Sequence, residues 1–136
     1  MKILAVDYGQ KNIGLAIGDS ALRLARPLLI FPHLSRAADC AQVLAQAAAQ
    51  SAEKIIVGVS YDEAGEPNLA GRQSIHFAEA LRVQSSLPVD LWDETLTTQD
   101  ARAARLAAGA RRKDRAGHLD ATAAAILLQD YLENAG

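Results

Sequence analysis

The run IIVGV at residues 55–59 constrains the fold more than any other feature of this sequence. It is apolar throughout and rich in β-branched residues, which is typical of a parallel strand buried on both faces. Parallel neighbours require crossover connections, usually helices, so the run predicts an α/β architecture. The chain has 136 residues, of which 50% are hydrophobic, and can bury the core of one such domain.

The amino-terminal part predicts three antiparallel strands. Short apolar runs at residues 3–6 and 13–17 flank a turn that contains Gly9, so they are expected to pair as a hairpin. A third strand is expected between residues 22 and 31. Pro27 places that strand at the edge of the sheet, because proline cannot donate a backbone hydrogen bond.

The rest of the chain alternates between helices and short strands. Ser35 is a suitable N-cap for an alanine-rich helix. Helices are predicted over residues 35–52, 69–85, 97–108 and 119–133, and one more strand over residues 89–92. This order predicts one domain over residues 1–136, with a mixed five-stranded sheet and helices on both faces.

Composition excludes several classes of protein. With 14 basic and 16 acidic residues the net charge is −2, which excludes a binder of nucleic acid that relies on bulk positive charge. Cys40 is the only cysteine, so it is expected to be a buried structural thiol. The sequence has neither a signal-peptide core before Asp7 nor an apolar run long enough to span a membrane. A soluble, cytoplasmic protein is therefore expected.

Three acidic residues occupy the ends of predicted elements. Asp7 closes the first strand, Glu94 follows the strand at residues 89–92, and Asp120 opens the last helix. Singly, they could cap the hairpin turn, lie exposed in a loop, or cap a helix. If they converge at the carboxyl edge of the sheet, they repel one another unless cations are present. Two divalent ions held by carboxylates are a common apparatus for hydrolysing phosphodiesters.

Four segments in this order resemble the YqgF/RuvX family. They are DYGQKNIGLA at 7–16, IVG at 56–58, DETLTT at 93–98 and LDATAA at 119–124. Members of this family are described as Holliday-junction resolvases and as the nuclease that matures the 5′ end of pre-16S ribosomal RNA. The sequence departs from the family pattern at Thr95, where arginine is usual, and at Val59 and Ser60, where the family has Leu-Pro.

The resemblance implies an RNase H-like fold, with antiparallel strands first and two parallel strands after them. It also implies a metal-dependent nuclease whose acidic triad falls on Asp7, Glu94 and Asp120, with one or two Mg²⁺ or Mn²⁺ ions. Maturation of ribosomal RNA is then the first hypothesis. Cleavage of a four-way DNA junction by a homodimer, rather than a monomer, is the second, and a non-catalytic nucleic-acid-binding module is the third.

A basic cluster lies between Glu94 and Asp120. Its residues Arg111, Arg112, Lys113 and Arg115, together with Lys11 near Asp7, are predicted to bind nucleic-acid phosphates. The alternative is an exposed helix end, where cations also favour the dipole. Such contacts hold a backbone without reading its sequence, so structured RNA, branched DNA and single-stranded DNA are all candidate partners.

Changing residues Arg111, Arg112 and Lys113 together to alanine is expected to weaken nucleic-acid binding for every sequence. The logarithm of the binding constant should also fall less steeply with the logarithm of salt concentration, because fewer counterions are released. Fluorescence anisotropy over a series of salt concentrations measures both effects. An unchanged slope would place the binding surface elsewhere.

Overall fold

A computed structural model describes residues 1–94 and 119–135 of the chain. The five strands are β1 (Lys2–Tyr8), β2 (Asn12–Asp19), β3 (Leu24–Pro32), β4 (Lys54–Val59) and β5 (Val89–Asp93). The helices in the described ranges are α1 (Arg36–Ala49), α2 (Leu69–Gln84) and α3 (Leu119–Asn134). The helix predicted over residues 97–108 lies outside the described residues.

The strands form one mixed sheet in the order β3-β2-β1-β4-β5. β1 and β2 pair antiparallel, as do β2 and β3, whereas β4 pairs parallel to both β1 and β5. The turn after β1 is closed by a hydrogen bond of 3.1 Å from the Gly9 N–H to the Asn12 carbonyl. The predicted hairpin, the edge position of β3 and the buried parallel strand at β4 are all confirmed.

The two faces of the sheet carry separate apolar cores. Leu4 and Val6 of β1 point into the core beneath α1 and α2. Ile3 and Ala5 point the opposite way, into the core beneath α3, where Leu127 packs. Alternation of side chains along a strand therefore decides which helices each residue meets. Helices cover both faces, as the sequence predicts.

α3 runs antiparallel to β1 and β4. Its end packs near the start of the sheet, where Leu132 approaches Gly18 of β2, the partner of Ile3. One and a half turns earlier, Leu127 approaches Gly58 near the carboxyl end of β4. A helix rises about 1.5 Å per residue, so the first turn of α3, which contains Asp120, lies about 10 Å beyond that contact. This places the start of α3 at the carboxyl edge of the parallel strands.

Local details of α1 match the sequence in part. The Ser35 hydroxyl accepts a hydrogen bond of 3.1 Å from the Ala38 N–H, which confirms the predicted N-cap. The helix ends earlier than predicted, because Ser51 adopts a left-handed conformation with φ of 57°. Cys40 is completely buried, as expected for a structural thiol. None of the described helices is long and apolar enough to cross a membrane.

Candidate active site

Asp7 and Glu94 meet at the carboxyl edge of the sheet. Asp7 lies near the end of β1, on the face that α3 covers. Glu94 follows β5 directly and continues its pairing, since its N–H donates to the Val59 carbonyl at 3.0 Å. A hydrogen bond joins the two carboxyl side chains. Residues separated by 87 positions in the sequence are thus in contact, as the hypothesis of a converging acidic site requires.

Gly58 makes the room for this contact. β4 lies between β1 and β5, and Gly58 points toward the same face as the two acids. A Cβ atom at residue 58 would lie 2.7 Å from Glu94 Oε2 and 2.8 Å from Leu127 Cδ2. The glycine is therefore required for the close approach of a carboxylate rather than for a turn. An isolated glycine within a strand indicates such an approach, so Gly58 in the run at residues 55–59 was a sequence signal for it.

Burial and like charge determine how Glu94 titrates. Burial raises the pKa of the Glu94 carboxyl above its ordinary value, and the neighbouring charge of Asp93 raises it further. A hydrogen bond from the Asp7 carboxyl opposes that rise. Two carboxyl groups in contact can share a hydrogen bond only if one keeps a proton. The pair therefore favours a bound positive species, either a proton or a cation.

The donor set fits a hard divalent cation. Carboxylate oxygens are the ligands that Mg²⁺ and Mn²⁺ prefer, and Asp7 and Glu94 bring two carboxylates together. Among the side chains that the structure describes, no group of three or more histidine, cysteine, aspartate or glutamate residues is placed to hold a metal. The third predicted ligand, Asp120, lies in the first turn of α3, and its side chain is not among those described.

The structure describes only one of the five residues predicted to bind phosphates. Lys11 is exposed in the turn between β1 and β2, near the end of the strand that carries Asp7. The other four, Arg111, Arg112, Lys113 and Arg115, lie outside the described residues. Thr95, one of the departures from the family pattern, also lies outside them.

Ser60, the second departure, has a clear structural role. Its hydroxyl donates to Asn68 Oδ1 at 2.7 Å, and its carbonyl accepts from the Asn68 N–H at 3.3 Å. The same Asn68 oxygen accepts from the Gly71 N–H at 2.8 Å and caps α2. Ser60 thus connects the end of β4 to the start of α2. A proline at position 60 would lack the hydroxyl that makes the first of these contacts.

A family model described as RuvX, Holliday junction resolvase, matches residues 1–134. The chain belongs to the RuvX family. Two similar proteins carry the curated name "Putative pre-16S rRNA nuclease". The one from Anaeromyxobacter sp. (strain Fw109-5) is 35% identical over 98% of this chain and 97% of its own length. The one from Pseudomonas putida (strain KT2440) is 37% identical over 96% of this chain and 94% of its own length.

Solved structures place this RuvX family member in the RNase H-like fold predicted from its sequence. T. thermophilus RuvC in complex with a Holliday junction substrate matches with a TM-score of 0.58 and 20% identity, over 97% of this chain and 93% of that one. The Fowlpox virus resolvase in complex with Holliday junction DNA matches with a TM-score of 0.60 and 15% identity, over 99% of both chains. At these identities the likeness establishes the fold.

Gly58→Ala is expected to push the Glu94 carboxylate out of its partly buried position. The pKa of Glu94 should then fall toward its ordinary value, because the burial that raises it is lost. Overpacking of this kind costs about 1–3 kcal/mol, here toward the lower end because the displaced atoms are the tips of flexible side chains. Side-chain carboxyl ¹³C shifts recorded against pH measure the pKa.

Gly18→Ala is the matched control. Its Cβ atom would crowd Leu128 Cδ2 at 2.9 Å beneath the same helix, and the Leu24 carbonyl at 2.8 Å, but it lies at the opposite end of the sheet. It should destabilise the protein and leave the Glu94 titration unchanged. If Glu94 titrates identically in the wild type and Gly58→Ala, the space at residue 58 is not what holds the carboxylate.

Proposed function

We propose that this protein is a metal-dependent nuclease that hydrolyses phosphodiester bonds in nucleic acid, with Asp7, Glu94 and Asp120 as its catalytic carboxylates. The observation that carries the proposal is the contact between Asp7 and Glu94 at the carboxyl edge of the sheet. Membership of the RuvX family and the RNase H-like fold support it. The position of Asp120 in the first turn of α3, at the same edge, agrees with it.

Asp7, Glu94 and Asp120 would hold one or two Mg²⁺ or Mn²⁺ ions. When bound, such ions supply a water of lowered pKa and neutralise charge on the departing oxygen. The contribution of this chain is to hold the carboxylates in fixed positions. Asp7 is fixed by a strand that is paired on both sides, and Glu94 by its backbone bond to β4. A rigid carboxylate loses little entropy on taking up a ligand, which favours tight and correctly oriented binding.

The bare pair of carboxyl groups is unfavourable for folding, and this argues for a functional role. Burial of Glu94 against Asp7 and Gly58 raises the free energy of its charged form. A domain that only bound nucleic acid would gain from replacing one of these acids by a neutral residue. Retention of both acids therefore favours the nuclease over the non-catalytic binding module.

The substrate that we propose is a ribosomal RNA precursor, cleaved during maturation of the 5′ end of 16S RNA. Its support is the curated name of relatives that align over nearly the whole chain. The family description supports a second candidate, cleavage of a four-way DNA junction. Two symmetric cuts in a junction require a two-fold dimer, whereas trimming of RNA does not. Size in solution therefore bears on this choice.

Asp7→Asn and Asp120→Asn are expected to abolish cleavage, with a loss of at least 100-fold, on the order of what charged groups contribute to a transition state. Folding and nucleic-acid binding should be largely retained, because the substitutions preserve shape. Glu63→Gln is the control, since it removes one exposed carboxylate in the loop before α2. Undiminished cleavage by both Asn variants with Mn²⁺ would refute the assignment.

One assay distinguishes the substrates. Labelled pre-16S RNA spanning the mature 5′ end, a four-way DNA junction and single-stranded DNA are each incubated with pure protein and Mg²⁺, Mn²⁺ or EDTA. We expect the protein to cleave the RNA with Mg²⁺ or Mn²⁺, and to cleave no substrate in EDTA. Symmetric cutting of the junction, by a protein that sediments as a dimer, would favour the resolvase instead.

A further inference from the structure

A second polar site lies on the opposite face of the sheet from Asp7 and Glu94. It is a pocket of about 340 Å³ at the end of β1, and its polar lining comes from Tyr8, Gln10, His33, Ser35, Arg36 and Gln73. This volume is at the lower end of the range of roughly 300–1,000 Å³ for small-molecule sites, enough for a phosphate group and a sugar. No motif in the sequence predicts this site.

The pocket is built on a buried carboxylate. Asp39, in the first turn of α1, is 1% exposed. His33 Nδ1–H and the Tyr8 hydroxyl both donate to its Oδ2, the latter at 3.3 Å. The Leu34 N–H donates to its Oδ1 at 3.1 Å. The negative charge of Asp39 is therefore satisfied by hydrogen-bond donors within the protein.

This arrangement fixes the His33 ring. Because Nδ1 is bonded to Asp39, Nε2 is the remaining polar atom of the imidazole, and His33 is only half-buried at the wall of the pocket. With its N–H donated to a buried carboxylate in this way, the neutral imidazole presents Nε2 as an acceptor or ligand atom in a defined orientation. Tyr8 is held similarly, since its ring stacks on Phe77 with 4.1 Å between centroids.

The chemistry of the wall selects an anion. None of the described residues that line the pocket carries a carboxylate, whereas Arg36 contributes a guanidinium and Gln10 and Gln73 contribute amides. Burial and the charge of Asp39 raise the pKa of Tyr8 to about 12, while Arg36 opposes the rise. The phenol therefore stays protonated, and no negative charge arises from it. The guanidinium of Arg36 and the amide N–H groups of Gln10 and Gln73 are donors that suit phosphate oxygens.

We propose that this pocket binds a phosphate group of a nucleic-acid strand that continues past the proposed cleavage site. Tyr8 directly follows Asp7, so the pocket and the acidic pair lie at the same strand end on opposite faces. The turn that contains Gln10 separates them, and a strand crossing that turn reaches both. The identity of the strand rests on the proposed function, whereas the affinity for phosphate does not.

Two variants test the pocket without relying on cleavage. Arg36→Gln removes an exposed guanidinium that lines the pocket. Arg26→Gln is the control, because it removes the same charge from β3 seven residues before His33, roughly 23 Å away along the strand. Unfolding temperatures establish that each variant folds. Arg36 is exposed, so at least that variant should remain native.

Binding is measured in EDTA, where no hydrolysis occurs, with a nine-nucleotide single-stranded RNA and with inorganic phosphate as probes. Arg36→Gln should weaken binding of the RNA roughly tenfold, the effect of losing a hydrogen bond to a charged group. Arg26→Gln should differ little from the wild type. Chemical shifts of the His33 imidazole should move as the RNA is added.

The outcomes separate the alternatives. Saturable binding of inorganic phosphate that depends on Arg36, with no effect of Arg36→Gln on RNA affinity, would overturn the nucleic-acid source and assign the pocket to a small phosphorylated ligand. Equal affinities of Arg36→Gln and Arg26→Gln for both probes would overturn phosphate binding altogether. A protein that cleaves no substrate but shows the Arg36 dependence on RNA would contradict only the proposed nuclease.

Discussion

The contact between Asp7 and Glu94 is the constraint on which the candidate site depends. It requires β1, β4 and β5 to be parallel neighbours, so that the two residues emerge at the same edge. It also requires Gly58 between them, because a side chain there would occupy the position of the Glu94 carboxylate. The apolar cores supply the free energy that offsets the repulsion within this partly buried pair of acids.

Alternation along β1 gives the two faces of one strand end different chemistry. Asp7 points toward α3 and meets another acid. Tyr8, the next residue, points toward α1 and α2 and joins the cluster formed by His33 and Asp39. One face therefore presents carboxylates that favour cations, and the other presents donors that favour anions. A nucleic acid contacting both would be held by its phosphates beside the acids that act on it.

Much of this organisation could be predicted from the sequence, because it depends on local patterns of apolar, capping and acidic residues. The apolar runs and the Ser35 cap identified the strands and α1, and the acids at element ends identified Asp7 and Glu94. The pocket could not be predicted, since the pairing of His33 with Asp39 depends on how the chain bends between β3 and α1. The catalytic roles of Asp7, Glu94 and Asp120 and the binding roles of Lys11 and the basic cluster remain predictions.

The shift in unfolding temperature caused by Mn²⁺, compared between the wild type and Glu94→Gln, tests the central claim most directly. The pKa of Glu94 is raised in the folded protein, so the folded protein holds more protons than the unfolded chain in the pH range where this carboxyl titrates. The stability that the protonated carboxyl contributes is therefore lost as pH rises through this range. Above that range Glu94→Gln should be the more stable protein without metal.

At 100 times its dissociation constant, Mn²⁺ should stabilise the wild type by about 2.7 kcal/mol and the variant far less. Equal stabilisation of both proteins by Mn²⁺ would contradict a site in which Glu94 holds the ion.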